Sequence, residues 1–428
     1  MTPSQPPPRN DRPYDVVLWG ATGFTGRLVA EYLVGLRARG SELRLALAGR
    51  NRDKLERVRA DLRGVDPSAA ALPLVLADAG DPASLEALAD SARVVCTTVG
   101  PYAKHGRELA AACAGRGAHY CDITGEVPFV RDSIDRNHDR ARATGARLVH
   151  CCGFDSIPSD LGVFMVYDHA RRLHGAKLGD VDFFVAETKG SVSGGTAASM
   201  LHLVDAAARD RAVRRLLADP YALSPDRARE PALGDESDQR GARWSDALGA
   251  WTAPFLMAAV NTRVVRRSNA LLDYAYGERF RYRESMATSA GPKGALAAAA
   301  VTGGLAGFVA AAAFGPTRRL LERALPAPGE GPSKARREAG YFRAHVVAST
   351  DPRGGGAPAR LRGLVEGTSD PGYGETAKML SEAAVCLALE GDQLESPGGV
   401  LTPAACFGMR LVERLRSAGM TFRVVTDA

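Results

Sequence analysis

The chain has 428 residues, which is too many for one simple hydrophobic core and predicts two or three domains. Its net charge of +6 is spread along the chain without a basic stripe interleaved with aromatic residues, which argues against nucleic-acid binding. The seven cysteines form no CxxC pair and lie mostly in apolar runs, which argues against a disulfide framework or a zinc site and indicates a reducing compartment.

The first 13 residues are rich in proline and polar side chains, and they lack the apolar core of a signal peptide. We therefore expect a disordered tail over residues 1–13 and a cytoplasmic protein.

A glycine-rich turn follows the first predicted strand. The apolar run 16–19 precedes residues 20–26 (GATGFTG), and an amphipathic helical pattern covers 27–39. In a strand–turn–helix unit, such a turn lets backbone N–H groups approach a pyrophosphate at the positive end of the helix. The spacing GxxGxxG also fits an ordinary tight turn, but its position favours a dinucleotide site. The residues expected to bind the cofactor here are Gly20, Thr22, Gly23, Phe24, Thr25 and Gly26.

The second predicted strand, 43–48, ends in Gly49 and Arg50. Enzymes that use NAD usually carry an acidic residue at this place for the ribose 2′-hydroxyl, whereas an arginine suits a 2′-phosphate. The sequence therefore predicts NADPH as the cofactor, with Arg50 as the main contact and Arg52 and Lys54 as helpers. The alternative is that these cations are solvated charges at the start of a helix.

Strands and helices alternate through the first third of the chain. Further strands are predicted at 72–78, 93–100, 119–124 and 147–154, and helices at 51–62, 82–90, 106–117 and 127–144. Short links in such an alternation predict an α/β fold, a doubly wound parallel Rossmann sheet over residues 14–157. Ligands bind at the carboxyl ends of such strands. There we expect further cofactor contacts from Asp78, Thr98, Val99 and Gly100.

The same strand ends carry groups that could handle a proton. Tyr102 follows the fourth strand, and it is either a proton donor or an ordinary loop tyrosine. Asp122 and Glu126 follow the fifth strand, and Glu126 fits the first turn of the next helix equally well. Ser156 follows the sixth strand, at a position that also suits a helix N-cap. The histidines have no metal-ligand spacing, so no metal site is expected.

Five strings in this order resemble the saccharopine dehydrogenase-like oxidoreductases, and within them the trans-acting enoyl reductases of actinobacterial lipid biosynthesis. They lie at 20–26, 48–55 (AGRNRDKL), 98–102 (TVGPY), 119–126 (HYCDITGE) and 153–162 (GFDSIPSDLG). Strings at 329–342, 372–377 and 398–408 extend the likeness over nearly the whole chain.

The resemblance implies a reductase acting on the carbon–carbon double bond of an enoyl thioester held on a carrier protein or polyketide synthase. Negative charge then builds on the thioester oxygen, and a proton must reach the α-carbon. The candidate catalytic residues are Tyr102 and Ser156, with Asp155 holding the loop. A carbon–nitrogen dehydrogenase and a non-catalytic lipid or interaction protein with the same fold remain the alternatives.

The pattern of residues 158–428 predicts an α+β substrate domain. Its last segment, 395–428, could pack back on the Rossmann domain. Within the substrate domain, residues 295–314 carry no charge and as a helix would span roughly 30 Å, the thickness of a bilayer core. This apolar segment fits three structures: a membrane span, a helix at a membrane surface or over a lipid tunnel, and a buried core helix. The first two of these structures would make a membrane surface one of the partners.

Overall fold

The computed structural model describes residues 7–190, 194–324, 330–351 and 359–425. They divide into two compact units. Among the described residues, the first unit comprises 7–153, 330–331 and 373–401, and the second comprises the remainder.

The first unit begins with six strands and six helices, which alternate except for two successive helices between the fourth and fifth strands. The strands are β1 (Tyr14–Trp19), β2 (Leu45–Gly49), β3 (Leu74–Leu76), β4 (Ala92–Thr97), β5 (His119–Cys121) and β6 (Arg147–Val149). The helices are α1 (Phe24–Ala38), α2 (Arg52–Leu62), α3 (Pro82–Ser91), α4 (Tyr102–His105), α5 (Arg107–Arg116) and α6 (Val127–Thr144).

The chain then forms most of the second unit. Its strands are β7 (Leu178–Lys189), β8 (Arg243–Ser245), β9 (Ala250–Pro254), β10 (Arg281–Ala287), β11 (Tyr341–Thr350) and β12 (Arg360–Gly367). Its helices are α7 (Ile157–His174), α8 (Gly194–Arg209), α9 (Arg211–Ala218), α10 (Ala258–Leu271), α11 (Gly291–Ala313), α12 (Gly315–Ala324) and α13 (Lys334–Glu338). The chain returns to the first unit with α14 (Thr376–Leu389) and β13 (Gly399–Leu401), and ends in the second with α15 (Pro403–Phe407), α16 (Met409–Ser417) and β14 (Thr421–Val425).

The sheet of the first unit is parallel throughout, in the order β13-β6-β5-β4-β1-β2-β3. Its central strands are apolar on both faces because helices cover both sides, as the burial of Val16, Val17 and Leu18 shows. The order reverses between β1 and β4, which places the ends of those two strands at the switch point where such folds bind ligands. The predicted α/β, doubly wound Rossmann sheet is confirmed.

The boundaries of the first unit differ from the expected 14–157. Helix α14 packs against α1 and the sheet, and β13 pairs with β6. Almost every side chain of α14 is buried, including Met379 and Leu380, so this helix needs apolar neighbours around most of its circumference. Only part of the segment 395–428 packs on the first unit, as expected. Strand β13 extends the first sheet, whereas β14 pairs with β12 in the second.

The expectation of a disordered tail over 1–13 is wrong for residues 9–12. The guanidinium of Arg12 is buried and donates to the carbonyl oxygens of Ala89 at 2.9 Å and Ala92 at 2.8 Å. Arg9 donates to the carbonyl oxygens of Gly117 and Gly145. These arginines satisfy carbonyl groups at helix ends, which anchors this part of the tail. Residues 1–6 lie outside the described residues.

The second unit contains a mixed sheet, β14-β12-β11-β7-β10-β9-β8, in which β7 and β10 are parallel and the other pairs antiparallel. Helices α7 and α10 pack on it, which agrees with the expected α+β domain. Helix α10 is unusual because it buries three arginines, Arg263, Arg266 and Arg267, each of which donates to backbone carbonyl groups.

The apolar segment 295–314 forms most of α11. Within the described part of the chain, this helix alone is long and apolar enough to cross a membrane, and only 11% of its most apolar stretch is buried. The buried-core alternative for this segment is therefore wrong. The structure contains no bilayer and leaves the two membrane alternatives as predictions.

Candidate cofactor and catalytic site

The glycine-rich turn between β1 and α1 is too crowded for side chains at two positions. Gly20 has φ of +94°, a left-handed conformation that glycine adopts without strain. A Cβ atom on Gly26 would lie 2.0 Å from the carbonyl oxygen of Gly20. The first turn of α1 therefore lies directly against the end of β1, and this approach requires glycine at both positions.

Helix α1 begins directly after the glycine-rich turn. Gly23 occupies its N-cap position and makes no side-chain capping hydrogen bond. Thr22 and Thr25 flank this end and are half-buried. Backbone N–H groups at an uncapped helix end, together with the helix dipole, attract phosphate oxygens.

The end of β4 lies beside the same turn. The Thr98 hydroxyl donates to the carbonyl oxygen of Gly20 at 3.3 Å, and the Thr98 N–H donates to the carbonyl oxygen of Trp19 at 3.1 Å. A Cβ atom on Gly20 would lie 2.7 Å from Val99 Cγ2. The structure therefore brings together Gly20, Gly26, Thr98 and Val99, as the sequence predicts, and the chain continues through Gly100 into a cis peptide bond with Pro101.

The aromatic ring of Phe24 connects the turn with distant parts of the first unit. It lies 4.9 Å from the ring of Tyr373 in an edge-on arrangement. A Cβ atom on Gly331 would lie 2.4 Å from the same ring, so the chain at 330–331 passes directly over Phe24. The sequence does not predict the contacts of Tyr373 and Gly331, because nothing in their local pattern shows that they meet a turn more than 300 residues away.

Arg50 lies directly after β2, where the sequence predicts a contact to a 2′-phosphate. Its side chain is exposed, and it has no ion-pair or hydrogen-bond partner among the described residues. Arg52 and Lys54 are exposed at the start of α2. Asn51 caps this helix, because its Oδ1 accepts a hydrogen bond from the backbone N–H of Lys54 at 2.9 Å. These three exposed cations follow β2 within five residues, and none has a carboxylate partner in the part of the chain that the structure describes.

Asp78 follows β3, the strand next to β2. Its carboxylate accepts a hydrogen bond from the Gly80 N–H at 2.8 Å, and its own N–H donates to Ser84 Oγ at 3.1 Å. The side chain therefore shapes its own turn. A contact from Asp78 to the cofactor stays a prediction.

These residues fit a phosphorylated nicotinamide cofactor. The uncapped end of α1 and the Gly20–Gly26 turn would hold the pyrophosphate, and Arg50 would hold the 2′-phosphate. When bound, this cofactor supplies a hydride to the substrate. Among the described residues no group of three or more histidine, cysteine, aspartate or glutamate side chains could hold a metal ion.

Tyr102 is held inside the first unit. Its side chain is 5% exposed, and its hydroxyl donates to the carbonyl oxygen of Thr97 at 3.2 Å and accepts from the Ile123 N–H at 3.4 Å. Burial raises the pKa of Tyr102 well above its ordinary value. This geometry supports a structural role, and the catalytic role predicted for Tyr102 stays untested.

The two carboxylates after β5 also organise backbone. Glu126 accepts the N–H groups of Tyr102 and Ala103, both at 2.9 Å, and so caps α4. Asp122 is fully buried and accepts from the Tyr120 hydroxyl at 2.8 Å and the Cys151 N–H at 3.1 Å. Both carboxylates therefore fix the loops at the ends of β4, β5 and β6.

A histidine completes the Asp122 network. His150 Nδ1 lies 2.7 Å from Asp122 Oδ2, and His150 Nε2 lies 2.9 Å from Ser133 Oγ. The order Ser133–His150–Asp122 is that of a hydrolase triad, but Ser133 is 2% exposed and cannot meet a substrate. The network is structural.

In the second unit, the side chains of Ser156 and Asp155 differ in their exposure and in their hydrogen bonding. Ser156 is fully buried, and its hydroxyl donates to Asn261 Oδ1 at 2.9 Å instead of capping α7. Asp155 is partly exposed and has no hydrogen-bond or ion-pair partner among the described residues. Loss of hydration raises the pKa of its carboxyl group to about 6. Asp155 can therefore exchange a proton close to neutral pH.

Asn261 leads from Ser156 to a second unusual acid, Glu284 on β10. Asn261 Nδ2 donates to Glu284 Oε1 at 3.1 Å, and Ser159 Oγ donates to the same oxygen. Glu284 is 3% exposed, and Oε2 has no hydrogen-bond partner within the described structure. Burial raises the pKa of Glu284 to about 8, so the group is mainly neutral at pH 7.

Glu284 lines a cavity of about 360 Å³ in the second unit. The wall is mostly polar and includes Asp182, Asp238, Thr262, Arg266 and Tyr282. The sequence does not predict Asn261, Glu284 or this cavity, since residues 244–290 contain no motif that marks them.

Comparison with known proteins identifies the family. A family model described as the saccharopine dehydrogenase NADP binding domain matches residues 16–149. A Mycobacterium tuberculosis (strain ATCC 25618 / H37Rv) protein, provisionally named a trans-acting enoyl reductase, is 47% identical over 424 residues, which cover 96% of this chain and 97% of that protein. The trans-acting enoyl reductase of Mycobacterium ulcerans (strain Agy99) is 42% identical over 417 residues, with the same coverage of both chains. The chain belongs to the trans-acting enoyl reductase family.

A solved structure supports the fold of this trans-acting enoyl reductase family member. Apo saccharopine dehydrogenase (L-Glu forming) from Saccharomyces cerevisiae matches with a TM-score of 0.51 at 12% identity, over 96% of this chain and 99% of that one. Family membership and the matching NADP-binding domain make the chain an NADPH-dependent oxidoreductase. The predicted family and cofactor are confirmed.

Proposed function

We propose that this chain is an enoyl reductase that acts in trans, reducing the carbon–carbon double bond of an acyl thioester attached to a carrier domain of a separate polyketide synthase. The product would be a saturated chain used in lipid biosynthesis. The observation that carries the proposal is the sequence identity of 42–47%, over nearly the full length, to proteins named trans-acting enoyl reductases. The glycine-rich turn supports it, because Gly20 and Gly26 bring the start of α1 close to the end of β1, as a pyrophosphate-binding turn requires.

The reaction requires little from the protein beyond placement of the substrate and a proton. A hydride is added at the β-carbon, negative charge develops on the thioester oxygen, and a proton is then added at the α-carbon. Asp155 is the best candidate for the proton donor among the three predicted catalytic residues. Its carboxyl group has no partner in the described structure and a pKa of about 6, whereas the hydroxyl groups of Tyr102 and Ser156 are buried and hydrogen-bonded.

Product analysis with a synthetic enoyl thioester tests the proposal. The purified chain is incubated with NADPH carrying deuterium on the transferred position, and the product is examined by mass spectrometry and NMR. We expect one deuterium at the β-carbon and one solvent proton at the α-carbon. A thioester on an isolated carrier protein should be reduced faster than the same thioester on a small thiol if the carrier is recognised.

Two other outcomes would contradict the proposal. Reduction of an imine formed from an amino acid and an oxoacid, without reduction of the enoyl thioester, would indicate a carbon–nitrogen oxidoreductase. Tight NADPH binding without turnover of either substrate class would indicate a non-catalytic role.

A further inference from the structure

Helix α11 presents a long uncharged surface to the solvent. Beyond Lys293 its exposed positions are alanine, glycine and a few larger apolar residues, and no charged residue occurs between Lys293 and Arg318. Leu296 is 74% exposed and Phe314, just beyond the helix, is 62% exposed. Large apolar side chains exposed along one element usually meet a partner or a membrane.

The opposite side of α11 is attached to the second unit. Gly294, Ala298 and Ala312 are buried on this side, where the helix contacts α8 and β9. At its end, Arg318 of α12 forms an ion pair with Asp205 of α8. The helix is therefore fixed along one side and open along the other.

The uncharged surface is flanked by cations. Arg319 and Arg323 on α12 and Arg211 and Arg215 on α9 are exposed, and none has an ion-pair partner among the described residues. Residues 291–324 carry one lysine, three arginines and one glutamate, a net charge of +3. Helix α9 adjoins this region through its contact with α8. The arrangement is complementary to an apolar layer beneath negatively charged headgroups.

We propose that α11 and α12 dock flat on the surface of an anionic membrane, at its cytoplasmic leaflet. Leu296, Phe314 and the exposed Leu320 enter the boundary between headgroups and acyl chains, while Arg319 and Arg323 contact the phosphates. A span across the bilayer is disfavoured because it would draw α8, with the Asp205–Arg318 ion pair, into hydrocarbon. The proposal does not depend on the reaction that the chain catalyses.

Vesicle binding by the full chain tests the proposal. Flotation is measured with vesicles of phosphatidylcholine alone and of phosphatidylcholine mixed with phosphatidylglycerol. We expect binding to the mixed vesicles, weakening with added salt, and release of the protein by an alkaline carbonate wash.

Two double variants locate the surface. Arg319→Ser with Arg323→Ser should weaken partitioning into the anionic vesicles by about thirtyfold. Leu296→Ser with Phe314→Ser should weaken it by roughly tenfold or more. The matched controls change residues exposed elsewhere, Arg63→Ser with Arg279→Ser and Val65→Ser with Leu173→Ser, and should bind like the unaltered chain.

NADPH affinity serves as the check on folding, since all four double variants leave the glycine-rich turn and Arg50 unchanged. The proposal would be overturned by failure of the unaltered chain to bind anionic vesicles, or by equal losses in the test and control pairs. Protein that resists the carbonate wash would indicate a span. A self-associated form that the Leu296/Phe314 pair dissociates, without vesicle binding, would indicate a second copy of the chain as the occupant.

Discussion

A Cβ atom at Gly26 would lie 2.0 Å from the carbonyl oxygen of Gly20, so the first turn of α1 and the end of β1 fit together only with glycine. Gly26→Ala should push α1 away from the turn and weaken NADPH binding by roughly tenfold to a hundredfold. Gly35→Ala in the same helix is the matched control, since its nearest neighbour would lie at an ordinary 3.5 Å. Fluorescence titration measures the NADPH affinity of both variants. Equal affinities would contradict the expected role of the turn.

Arg50 should determine the preference for NADPH over NADH. Its exposed guanidinium has no partner in the described structure, so Arg50→Gln removes a cation without disturbing an existing ion pair. We expect NADPH affinity to fall by roughly tenfold to a hundredfold and NADH affinity to stay unchanged.

Arg57→Gln is the control for this change, because Arg57 is also exposed on α2 but lies beyond its first turn. A parallel loss of affinity for both cofactors in Arg50→Gln would point to damage of the fold rather than to loss of a phosphate contact.

The pH profile of turnover tests Asp155 as the proton donor. With a carboxyl pKa of about 6, the protonated form is depleted as the pH rises, so turnover should be level below pH 6 and decline above it. Asp155→Asn should lower turnover by about a hundredfold or more and flatten the profile.

Tyr102→Phe provides the contrast. It removes the hydrogen bond to Thr97 and should lower the free energy of unfolding by about 1 kcal/mol while leaving turnover and the pH profile unchanged. The reverse result, a large loss of turnover in Tyr102→Phe with unchanged turnover and pH profile in Asp155→Asn, would assign the proton to the tyrosine.

The stability of the chain should depend on the ionisation of Glu284. Its folded pKa, about 8, lies above its value in the unfolded chain, so the folded state binds the proton more tightly. The stability from this proton is complete below about pH 4.5. It is lost as the pH rises from there through 8, by about 5 kcal/mol in all. Glu284→Gln should remove most of this dependence in urea denaturation at several pH values. A variant that retains the full dependence would show that another group is responsible.

The local pattern of the sequence was sufficient to predict the sheet and the glycine-rich turn of the first unit. Alternating apolar runs and helical patterns predict the parallel sheet because each strand and helix is defined by its own neighbours in the chain. The turn at 20–26 and Arg50 are predicted for the same reason, since both are fixed by position relative to a strand end.

Local patterns did not predict the contacts between residues that are distant in the chain. The tail around Arg12 reads as disordered in sequence, yet its guanidinium finds carbonyl groups about 80 residues away. Likewise, α14 has the composition of any buried helix, and nothing in its pattern shows that it packs on the first sheet.

The sequence alone therefore determined the glycine-rich turn, the cation after the second strand and the uncharged stretch that became α11, because these depend on neighbouring residues only. The tertiary structure decided which carboxyl and hydroxyl groups are exposed, which are hydrogen-bonded and which have a shifted pKa. Tyr102 and Ser156 are enclosed by partners, whereas Asp155 has none among the described residues, and Glu284 carries a raised pKa. Burial and hydrogen bonding set these differences, and both arise from segments that meet only after the chain has folded.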